Sequence, residues 1–482
     1  MLVRDQLFIG GRWVTPRAPQ WLHVHSPHDG HLVGRAVAGD ASDVDAAVNS
    51  AIGALDAWSD LTPDARAKLL ERMADYLESQ APVLTKLIVD EVGTPIRAAQ
   101  RIQVALPIAN LRNHATRLRK ITFTRRVGHS LVSRQPAGIV AAITPWNYPL
   151  HQAVLKVAGA LAAGCGVVLK PSELTPLNAF YLADAAHAAG LPAGVFNLVT
   201  GSPAIVGTAL VSHAGVDRVS FTGSTETGRL VAATAAQSLK RVSLELGGKS
   251  AAILLDDAPL EKAVRSVVRS CNLNSGQTCT ALTRLLVPKG LVTEAQRIAA
   301  DCAQSLVVGD PHSEGSQVGP LISRRQLDRV RTWIVRGESE GAALLAGGKE
   351  PLHGLPAAGH YVRPTVFGQV DSRASIAREE IFGPVLCVMS YGEVDDAIDI
   401  ANSTPYGLAG AVWSADSDRA LAVAQRIRAG QVDINGAAFN PEAPFGGFKQ
   451  SGYGREAGEF GIEDCLEYKS IQLAEPTAHS AA

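Results

Sequence analysis

Several familiar sequence patterns are absent from this chain of 482 residues. Its 45 basic and 46 acidic residues leave a formal net charge of −1, and no run of like charge is present. We therefore expect neither a basic face for nucleic acid nor a charged disordered tail. The six cysteines are widely spread and include no CxxC pair. This spacing predicts neither a disulfide framework nor a zinc site, and it is typical of a reducing compartment.

Long apolar runs are missing as well. Residues 1–13 lack the apolar core of a signal peptide. The best membrane candidate, 157–169, has only 13 residues and contains three glycines, whereas a spanning helix needs about 20 apolar residues. No internal repeat is evident. We expect a cytoplasmic protein without a membrane segment, and the length indicates about two or three domains.

A short segment near the amino end is rich in histidine. Its histidines are His23, His25, His28 and His31. Histidine tracts can bind metal, but Pro27 and Gly30 favour a surface turn, and this spacing defines no ligand geometry. No metal site is predicted, and the role of the histidines stays open.

What is present is an alternation of helices and strands. The first 120 residues favour helices at 43–58, from Pro63 after a Thr62 cap to about residue 80, and on through residue 92. Residues 121–134 predict a projecting hairpin. The strands predicted next are 137–143, 166–169, 195–199, 218–221 and 241–246. The helices predicted between them are 150–163, 177–189, 203–212 and 225–236.

Short β-branched runs separated by helices predict a parallel, doubly wound α/β sheet. Such sheets bind ligands beyond the carboxyl ends of their strands. A second α/β pattern begins after Leu255, with a helix at 260–271 and a strand at 283–287. The chain therefore predicts two α/β units, of which the first is a cofactor-type sheet.

Cys279 is the candidate nucleophile. It follows a short polar segment, 272–277, in which Gly276 leaves room beside the main chain. A polar segment of this kind favours an exposed, accessible thiol over a buried one. A nucleophilic thiol needs either a lowered pKa or a nearby base. Glu245, a lone carboxylate between apolar residues, precedes it by 34 positions. The alternative interpretations are a buried structural cysteine and an exposed charge at a strand end.

Polar residues follow several predicted strands. After the first, the Asn147 amide is suited to donate to an oxyanion and Trp146 to cover a ligand, although Asn147 is equally suited to a cap or turn. After the second, Lys170 and Glu173 stand where dinucleotide folds hold ribose hydroxyls, or are simply solvated charges. The fourth strand runs into a helix-opening turn that is suited to an anion but is not a GxGxxG motif. The residues of this turn are Gly223, Ser224 and Gly228.

Taken together, these segments resemble the aldehyde dehydrogenase superfamily, of the NAD(P)-dependent hydrolytic type. The resemblance covers nearly the whole chain and rests on seven motifs in the family's order. These motifs are Pro145–Pro149, Leu169–Glu173, Phe221–Thr225, Leu244–Lys249, Gly276–Cys279, Glu379–Pro384 and Pro444–Gly447.

The resemblance implies a covalent oxidation. Cys279 attacks the aldehyde to form a thiohemiacetal, whose oxyanion is held by the Asn147 amide and the Cys279 backbone N–H. Loss of hydride to the nicotinamide leaves a thioester. Glu245 acts as general base, on Cys279 or on the water that hydrolyses the thioester. The acidic Glu173 implies NAD as the cofactor, with NADP as the alternative.

The resemblance also assigns the remaining site residues. The cofactor residues that it implies are Trp146, Lys170, Glu173, Gly223, Ser224, Gly228, Gly247, Glu380 and Phe382. Among these, Glu380 and Phe382 are expected at the nicotinamide half. The implied substrate residues are Tyr148, Leu155, Phe439 and Phe445. These residues imply an apolar pocket, which indicates an aliphatic or aromatic aldehyde. The motifs contain no arginine pair that would indicate a charged substrate.

The family's architecture implies three parts and a homodimer or homotetramer. The expected parts are an NAD-binding Rossmann-like domain of residues 1–120 and 138–247, a catalytic domain of residues 248–446, and a small β oligomerisation element of residues 121–137 and 460–482. One rival is a CoA-acylating semialdehyde dehydrogenase, which would usually lack a glutamate at position 245. The other is a non-catalytic relative, in which Cys279, Glu245 or Asn147 would have been lost.

Overall fold

The structure is a computed structural model that describes residues 1–17 and 19–474. Its strands are β1 (Leu2–Arg4), β2 (Leu7–Ile9), β3 (Arg12–Val14), β4 (Gln20–His25), β5 (Leu32–Ala38), β6 (Thr124–Val127), β7 (Ser130–Pro136), β8 (Ile139–Ile143), β9 (Gly166–Lys170), β10 (Phe196–Leu198), β11 (Arg218–Thr222), β12 (Arg241–Glu245), β13 (Ser250–Leu254), β14 (Leu282–Pro288), β15 (Ala343–Ala346), β16 (Thr365–Gly368), β17 (Val385–Tyr391), β18 (Ala409–Trp413), β19 (Gln431–Ile434), β20 (Gly452–Tyr453) and β21 (Leu466–Gln472).

The helices connect these strands. They are α1 (Ala41–Ser59), α2 (Pro63–Ser79), α3 (Ala81–Val92), α4 (Ile96–Ala98), α5 (Leu106–Leu118), α6 (Pro149–Ala163), α7 (Leu177–Ala189), α8 (Thr208–Ser212), α9 (Thr225–Ala236), α10 (Leu260–Asn272), α11 (Val292–Ser305), α12 (Arg324–Ser339), α13 (Ser375–Arg378), α14 (Val394–Asn402), α15 (Ser417–Ala424) and α16 (Gly458–Glu463). Within the described residues, none of them has the length and apolarity that crossing a membrane requires.

The first large sheet has eight strands in the order β20-β12-β11-β8-β9-β10-β2-β3, and its central strands run parallel. Side chains alternate across β8: Val140 and Ala142 pack with α2, α5, α6 and α7, whereas Ile139 and Ala141 pack with α1, α8 and α9. Because both faces are covered by helices, β8 and the first four residues of β9 are apolar and buried. The predicted doubly wound sheet is confirmed.

The second large sheet has seven strands in the order β15-β16-β17-β14-β13-β18-β19, parallel except for β15. Ala251 and Ile253 of β13 pack with α12, α14 and α15 on one face. Ala252 and Leu254 pack with α10 and α11 on the other face. A second α/β unit is thus built on the same principle as the first.

The predicted hairpin pairs with the end of the described chain. Strands β6 and β7 form it, and β21 joins β7 antiparallel from Leu466 to Gln472. Val127, Tyr468 and Ile471 are exposed on this three-stranded sheet. The last part of the predicted oligomerisation element, 475–482, lies outside the described residues.

Helix boundaries in the first 120 residues follow the sequence signals. The Thr62 hydroxyl accepts from the Ala65 N–H at 3.2 Å, and Pro63 occupies the first position of α2, where its missing N–H is not needed.

Two elements of the first α/β unit differ in detail from their predictions. The predicted helix at 203–212 is correct in place but begins as a π-helix, Pro203–Gly207. The predicted strand at 137–143 is shorter by two residues, because β8 begins at Ile139.

The prediction of a surface turn for the histidine segment is only partly right. His23 and His25 lie on strand β4, and only the residues between β4 and β5 form the turn. His28 Nδ1 lies 2.6 Å from the Tyr361 hydroxyl, and His31 Nδ1 lies 2.6 Å from Asp29. Within the described part of the chain, no group of three or more histidine, cysteine or carboxylate side chains is arranged to hold a metal ion.

Candidate active site

A cleft of about 670 Å³ opens where the parallel strands of the first sheet end. The segments after β8, β9, β11 and β12 line it, together with residues of the second α/β unit. The sequence-predicted residues that line it are Trp146, Asn147, Lys170, Glu173, Gly223, Ser224, Gly247, Cys279, Glu380 and Phe382. Gly228 does not line it: this residue lies in α9, where an added Cβ would be 2.5 Å from Leu246.

Cys279 lies on the loop between α10 and β14. It is partly exposed, whereas the other five cysteines are buried. Its side chain lines the cleft and also packs against an apolar cluster that contains Leu155 and Phe445. The interpretation of Cys279 as a buried structural cysteine is therefore wrong, because its side chain reaches the cleft.

The backbone before Cys279 is unusual. Asn274, Ser275 and Gly276 have φ values of 51°, 59° and 76°, all in the left-handed region. A side chain at Gly276 would place its Cβ 2.1 Å from the Gly383 carbonyl carbon. Only glycine fits there, and strained backbone of this kind persists where the surroundings hold it in place.

The thiol is not acidified by its surroundings. Burial, together with the carboxylates of Glu380 and Glu245, raises the pKa of Cys279 to about 12. Anions and low polarity both disfavour a thiolate. Of the two requirements recognised from the sequence, these surroundings favour a nearby base over a lowered pKa.

Glu245 lies close enough to Cys279 for its charge to contribute to the raised pKa of the thiol. It ends β12, is 3% exposed, and its Oε2 atom has no hydrogen-bond partner among the described residues. Burial raises its pKa well above the usual range, and the nearby Glu456 adds to this shift, while Lys156 and Arg455 oppose it. The interpretation as an exposed strand-end charge is wrong, because the carboxyl group is inside the protein.

Sequence reasoning missed two residues beside Glu245. The Lys156 ammonium donates to Glu456 Oε1 at 2.6 Å and to the Ser220 hydroxyl at 3.2 Å, and both partners of this ion pair are buried. A signal was available, since Lys156 interrupts the apolar run of α6. Glu456 follows a glycine-rich segment that has no regular pattern, so only the structure places it here.

Asn147 is buried after the end of β8. Its Nδ2 donates to the Gln277 carbonyl oxygen at 3.0 Å, which ties it to the nucleophile loop two residues before Cys279. A carboxamide nitrogen carries two N–H groups, so a second donor remains for another oxygen.

Lys170 and Glu173 form a pair across the cleft wall, with Nζ and Oε2 3.7 Å apart. Burial lowers the pKa of Lys170, and Glu173 partly opposes that shift. Ser224 caps α9 by accepting from the Thr227 N–H, so the first turn of this helix faces the cleft. The amino end of α9 offers N–H donors that suit an anion, and Lys170 and Glu173 line the same cleft.

Glu380 and Phe382 are two further residues that line the cleft. Glu380 Oε1 accepts from the Gly248 N–H at 3.0 Å, and burial raises its pKa to about 6. An added Cβ at Gly247 would lie 2.5 Å from Glu380 Oε2, so this glycine admits the carboxylate. The Phe382 and Trp146 rings meet edge to face at 5.4 Å.

The predicted substrate residues gather on the other side of Cys279. Leu155, Phe445 and Phe439 share its apolar cluster, and the two phenylalanine rings are 5.9 Å apart. The Tyr148 hydroxyl lies 2.7 Å from the Thr278 hydroxyl, next to the nucleophile. Cys279 therefore lies between the cleft and this apolar cluster.

Known proteins resemble this chain over almost its whole length. The aldehyde dehydrogenase family profile matches residues 13–471, and the chain belongs to this family. A 3-succinoylsemialdehyde-pyridine dehydrogenase from Pseudomonas sp. is 45% identical over 467 residues, which are 97% of this chain and 98% of that protein.

Two solved structures illustrate the likeness. A cysteine-to-alanine variant of aldehyde dehydrogenase C from Pseudomonas syringae, complexed with NAD⁺ and octanal, has a TM-score of 0.96 at 45% identity and covers 98% of this chain and 97% of its own. An aldehyde dehydrogenase from Mycobacterium tuberculosis, complexed with NAD⁺, has a TM-score of 0.95 at 42% identity, with 98% of each chain covered. The predicted family, fold and enzyme class are confirmed.

Proposed function

We propose that this protein oxidises an aldehyde to the carboxylic acid with NAD as hydride acceptor. The observation that carries the proposal is the position of Cys279, which lines the polar cleft and also packs into the apolar cluster. A substrate held in the apolar pocket and a cofactor held in the cleft would meet at its sulfur. The NAD⁺ complexes of the two relatives support this choice of cofactor.

The cleft residues fit NAD. The amino end of α9 at Ser224 would receive the pyrophosphate, and Lys170 with Glu173 would hold the adenosine ribose. Glu380 and Phe382 would contact the nicotinamide half. When bound, NAD supplies the acceptor for the hydride that leaves the substrate carbon.

The residues of the chain divide the oxidation into two covalent steps. Cys279 Sγ forms a bond to the aldehyde carbon, and its proton passes to a base. The second N–H of the Asn147 amide and the Cys279 backbone N–H stabilise the oxyanion, an effect worth about 10²–10³ in rate per donor. Loss of hydride leaves a thioester on Cys279.

Glu245 completes the reaction by taking a proton from the water that attacks the thioester. A raised pKa suits a general base that works near neutral pH, a contribution of about 10²–10⁴ in rate. The presence of Glu245 also favours hydrolysis over transfer to CoA, and the intact set of Cys279, Glu245 and Asn147 opposes a non-catalytic role.

An aliphatic or aromatic aldehyde suits the pocket that Tyr148, Leu155, Phe439 and Phe445 surround. The octanal complex of the Pseudomonas syringae relative supports a chain of this kind. Apolar walls distinguish neighbouring chain lengths by only about 1–3 kcal/mol per methylene, so a graded preference is expected.

The test follows NADH absorbance with purified protein, NAD⁺, and straight-chain and aromatic aldehydes, with and without CoA. We expect CoA-independent NADH formation that Cys279→Ala abolishes and that Cys302→Ala, a change at a buried cysteine of α11, retains. Glu245→Gln should slow NADH formation strongly, because the base proposed for Cys279 or for the attacking water is lost; a rapid burst of about one NADH per subunit would assign Glu245 to the water alone. Strict CoA dependence would overturn the hydrolytic mechanism.

NAD should be preferred over NADP, because the Glu173 carboxylate would repel a 2′-phosphate. Glu173→Ser should raise kcat/KM with NADP by about tenfold, the change that corresponds to 1.4 kcal/mol. Glu261→Ser, at an exposed position of α10, is the matched control. Comparable turnover of the unaltered enzyme with both cofactors at equal concentration would contradict the preference.

The proposal extends to the predicted domain organisation and assembly. The NAD-binding and catalytic units would correspond to the eight- and seven-stranded sheets. The sheet of β6, β7 and β21 would pair subunits into a homodimer or homotetramer through its exposed apolar side chains.

A further inference from the structure

A closed ring of buried hydrogen bonds lies directly behind the site. Gln103 Nε2 donates to Thr94 Oγ1 at 2.6 Å and to the Asn147 carbonyl oxygen at 3.2 Å. Thr94 Oγ1 donates to Asn274 Oδ1 at 2.6 Å, and Asn274 Nδ2 donates to the same Asn147 carbonyl at 3.0 Å. All four residues are at most 5% exposed. The ring joins the amino-terminal helices to the oxyanion donor and to the nucleophile loop.

Gln103 reaches this ring from an irregular helical segment. Residues Ala99–Ala105 form a π-helix between α4 and α5. Pro107, four residues after Gln103, has no N–H to give to the Gln103 carbonyl, and in an α-helix its ring would clash with that carbonyl. The wider π-turn relieves this clash and changes the direction of the side chains around it. Such turns are frequent at functional sites.

The ring acts on the group that would bind the oxyanion. The Asn147 carbonyl accepts two hydrogen bonds, from Gln103 and Asn274, while its side chain donates to Gln277. The main chain and the carboxamide of Asn147 are thus both held before a substrate arrives. Oxyanion donors are effective because they are preorganised, and a displacement of about 1 Å can lower a rate by about 10²-fold.

The hydrogen bonding of Gln103 indicates that its side-chain N–H groups, rather than its oxygen, are the reason for a glutamine at this position. Gln103 Oε1 is buried without a hydrogen-bond partner among the described residues. An apolar side chain of similar size would avoid that unsatisfied oxygen, and it would cost only the two donations to Thr94 and Asn147. Those two donations are what an apolar residue lacks.

We infer that Gln103 and Thr94 are positioning residues for the Asn147 oxyanion donor. The inference rests on the proposed function, since it assigns the ring to the step in which Cys279 attacks a carbonyl. Neither residue lines the cleft, so both act through Asn147 and Asn274.

The experiment compares Gln103→Leu, Thr94→Val and Thr94→Ser with the unaltered enzyme. Asn197→Leu is the control, because Asn197 is also buried and hydrogen-bonded to main chain, at Gly10 and Gly194. The readouts are kcat and KM for aldehyde oxidation, the melting temperature, and release of nitrophenolate from p-nitrophenyl acetate without NAD. In the last reaction the thiol displaces nitrophenolate and becomes acetylated, so it uses the oxyanion donors without any hydride transfer.

Gln103→Leu and Thr94→Val should each lower kcat by about tenfold or more with a small change in KM, and ester turnover should fall in parallel. Thr94→Ser, which keeps the hydroxyl, should retain most of the rate. Asn197→Leu should lower the melting temperature without this loss of kcat. Equal losses in Thr94→Ser and Thr94→Val, or a loss of kcat in Asn197→Leu as large as in Gln103→Leu, would overturn the inference.

Failure of the proposed function gives a different result. An unaltered enzyme that oxidises no aldehyde but is acylated by the ester would refute the oxidation. The ester rates of the variants would then still decide whether Gln103 and Thr94 position the donor. If the ester is inert as well, crystal structures of Gln103→Leu and the unaltered protein decide: an unmoved Asn147 carboxamide overturns the inference, and a displaced one supports it.

Discussion

At the scale of single residues, the proposed chemistry uses a thiol and a carboxyl group whose pKa values are both raised. Burial and two carboxylates raise the pKa of Cys279, and burial with a neighbouring glutamate raises that of Glu245. In the proposed reaction Glu245 accepts the proton of Cys279 or of the attacking water, and perturbed pKa values of this kind are typical of functional sites.

This arrangement predicts the pH dependence of Cys279 alkylation. The thiolate is the reacting form, and its fraction rises tenfold for each pH unit below the thiol pKa. With that pKa near 12, the rate of carbamidomethylation by iodoacetamide in the absence of NAD should rise about tenfold per unit from pH 7 to 9. Mass spectrometry of the Cys279 peptide measures it. A plateau below pH 8 would contradict the predicted environment.

At the scale of elements, the loop between α10 and β14 sets the direction of the nucleophile. Three successive left-handed residues turn the chain sharply, and Ser275 Oγ donates to the Gly319 carbonyl oxygen at 2.9 Å. Gln277 Oε1 accepts from the Ile322 N–H at 2.9 Å. The second α/β unit thereby fixes the loop that presents Cys279 to the cleft of the first.

Gly276→Ala tests how closely this loop is packed. Its Cβ would overlap the Gly383 carbonyl, so the change should destabilise the protein by more than about 2 kcal/mol and reduce activity strongly. Gly190→Ala is the matched control, because Gly190 has the same φ of 76° but open space around it. That change should cost about 1–2 kcal/mol and leave activity intact. Thermal unfolding compares them, and equal shifts would refute the packing argument.

At the scale of the whole molecule, two sheets share one site and a third, small sheet lies apart from it. The small sheet exposes Val127, Tyr468 and Ile471 at 51%, 56% and 45%. The strand register places Val127 and Tyr468 on one face of this sheet and Ile471 on the other, and exposed apolar side chains of this kind are typical of contacts between subunits. The edge strand β6 also carries unpaired main-chain groups, which a second copy is able to pair.

Ile471→Asp should therefore weaken the subunit contact. A carboxylate buried between subunits lacks a partner, so the altered protein should elute as a smaller species in size-exclusion chromatography with light scattering. Val335→Asp, at an exposed apolar position of α12, is the control and should leave the oligomer unchanged. An identical mass for Ile471→Asp and the unaltered protein would exclude the face of the small sheet that carries Ile471 as the contact.

The sequence alone determined the strand–helix alternation from β8 to β12 and several of the residues that line the cleft. Periodicity placed α7 and α9 at their observed bounds, because apolar spacing and helix-start signals are local properties. Polar residues at strand ends, such as Asn147 and Glu173, were found because parallel strands bring their carboxyl ends to one edge.

Only the tertiary structure decided which groups meet and what that does to them. Glu456 and Lys156 are 300 positions apart, and Gln103 contacts Asn147 across 44, so no local pattern reveals either pair. The raised pKa of Cys279 likewise depends on burial and on Glu380 and Glu245, which lie far away along the chain. Residue type and periodicity are local properties of the sequence, whereas burial, charge proximity and backbone strain arise only when distant segments pack.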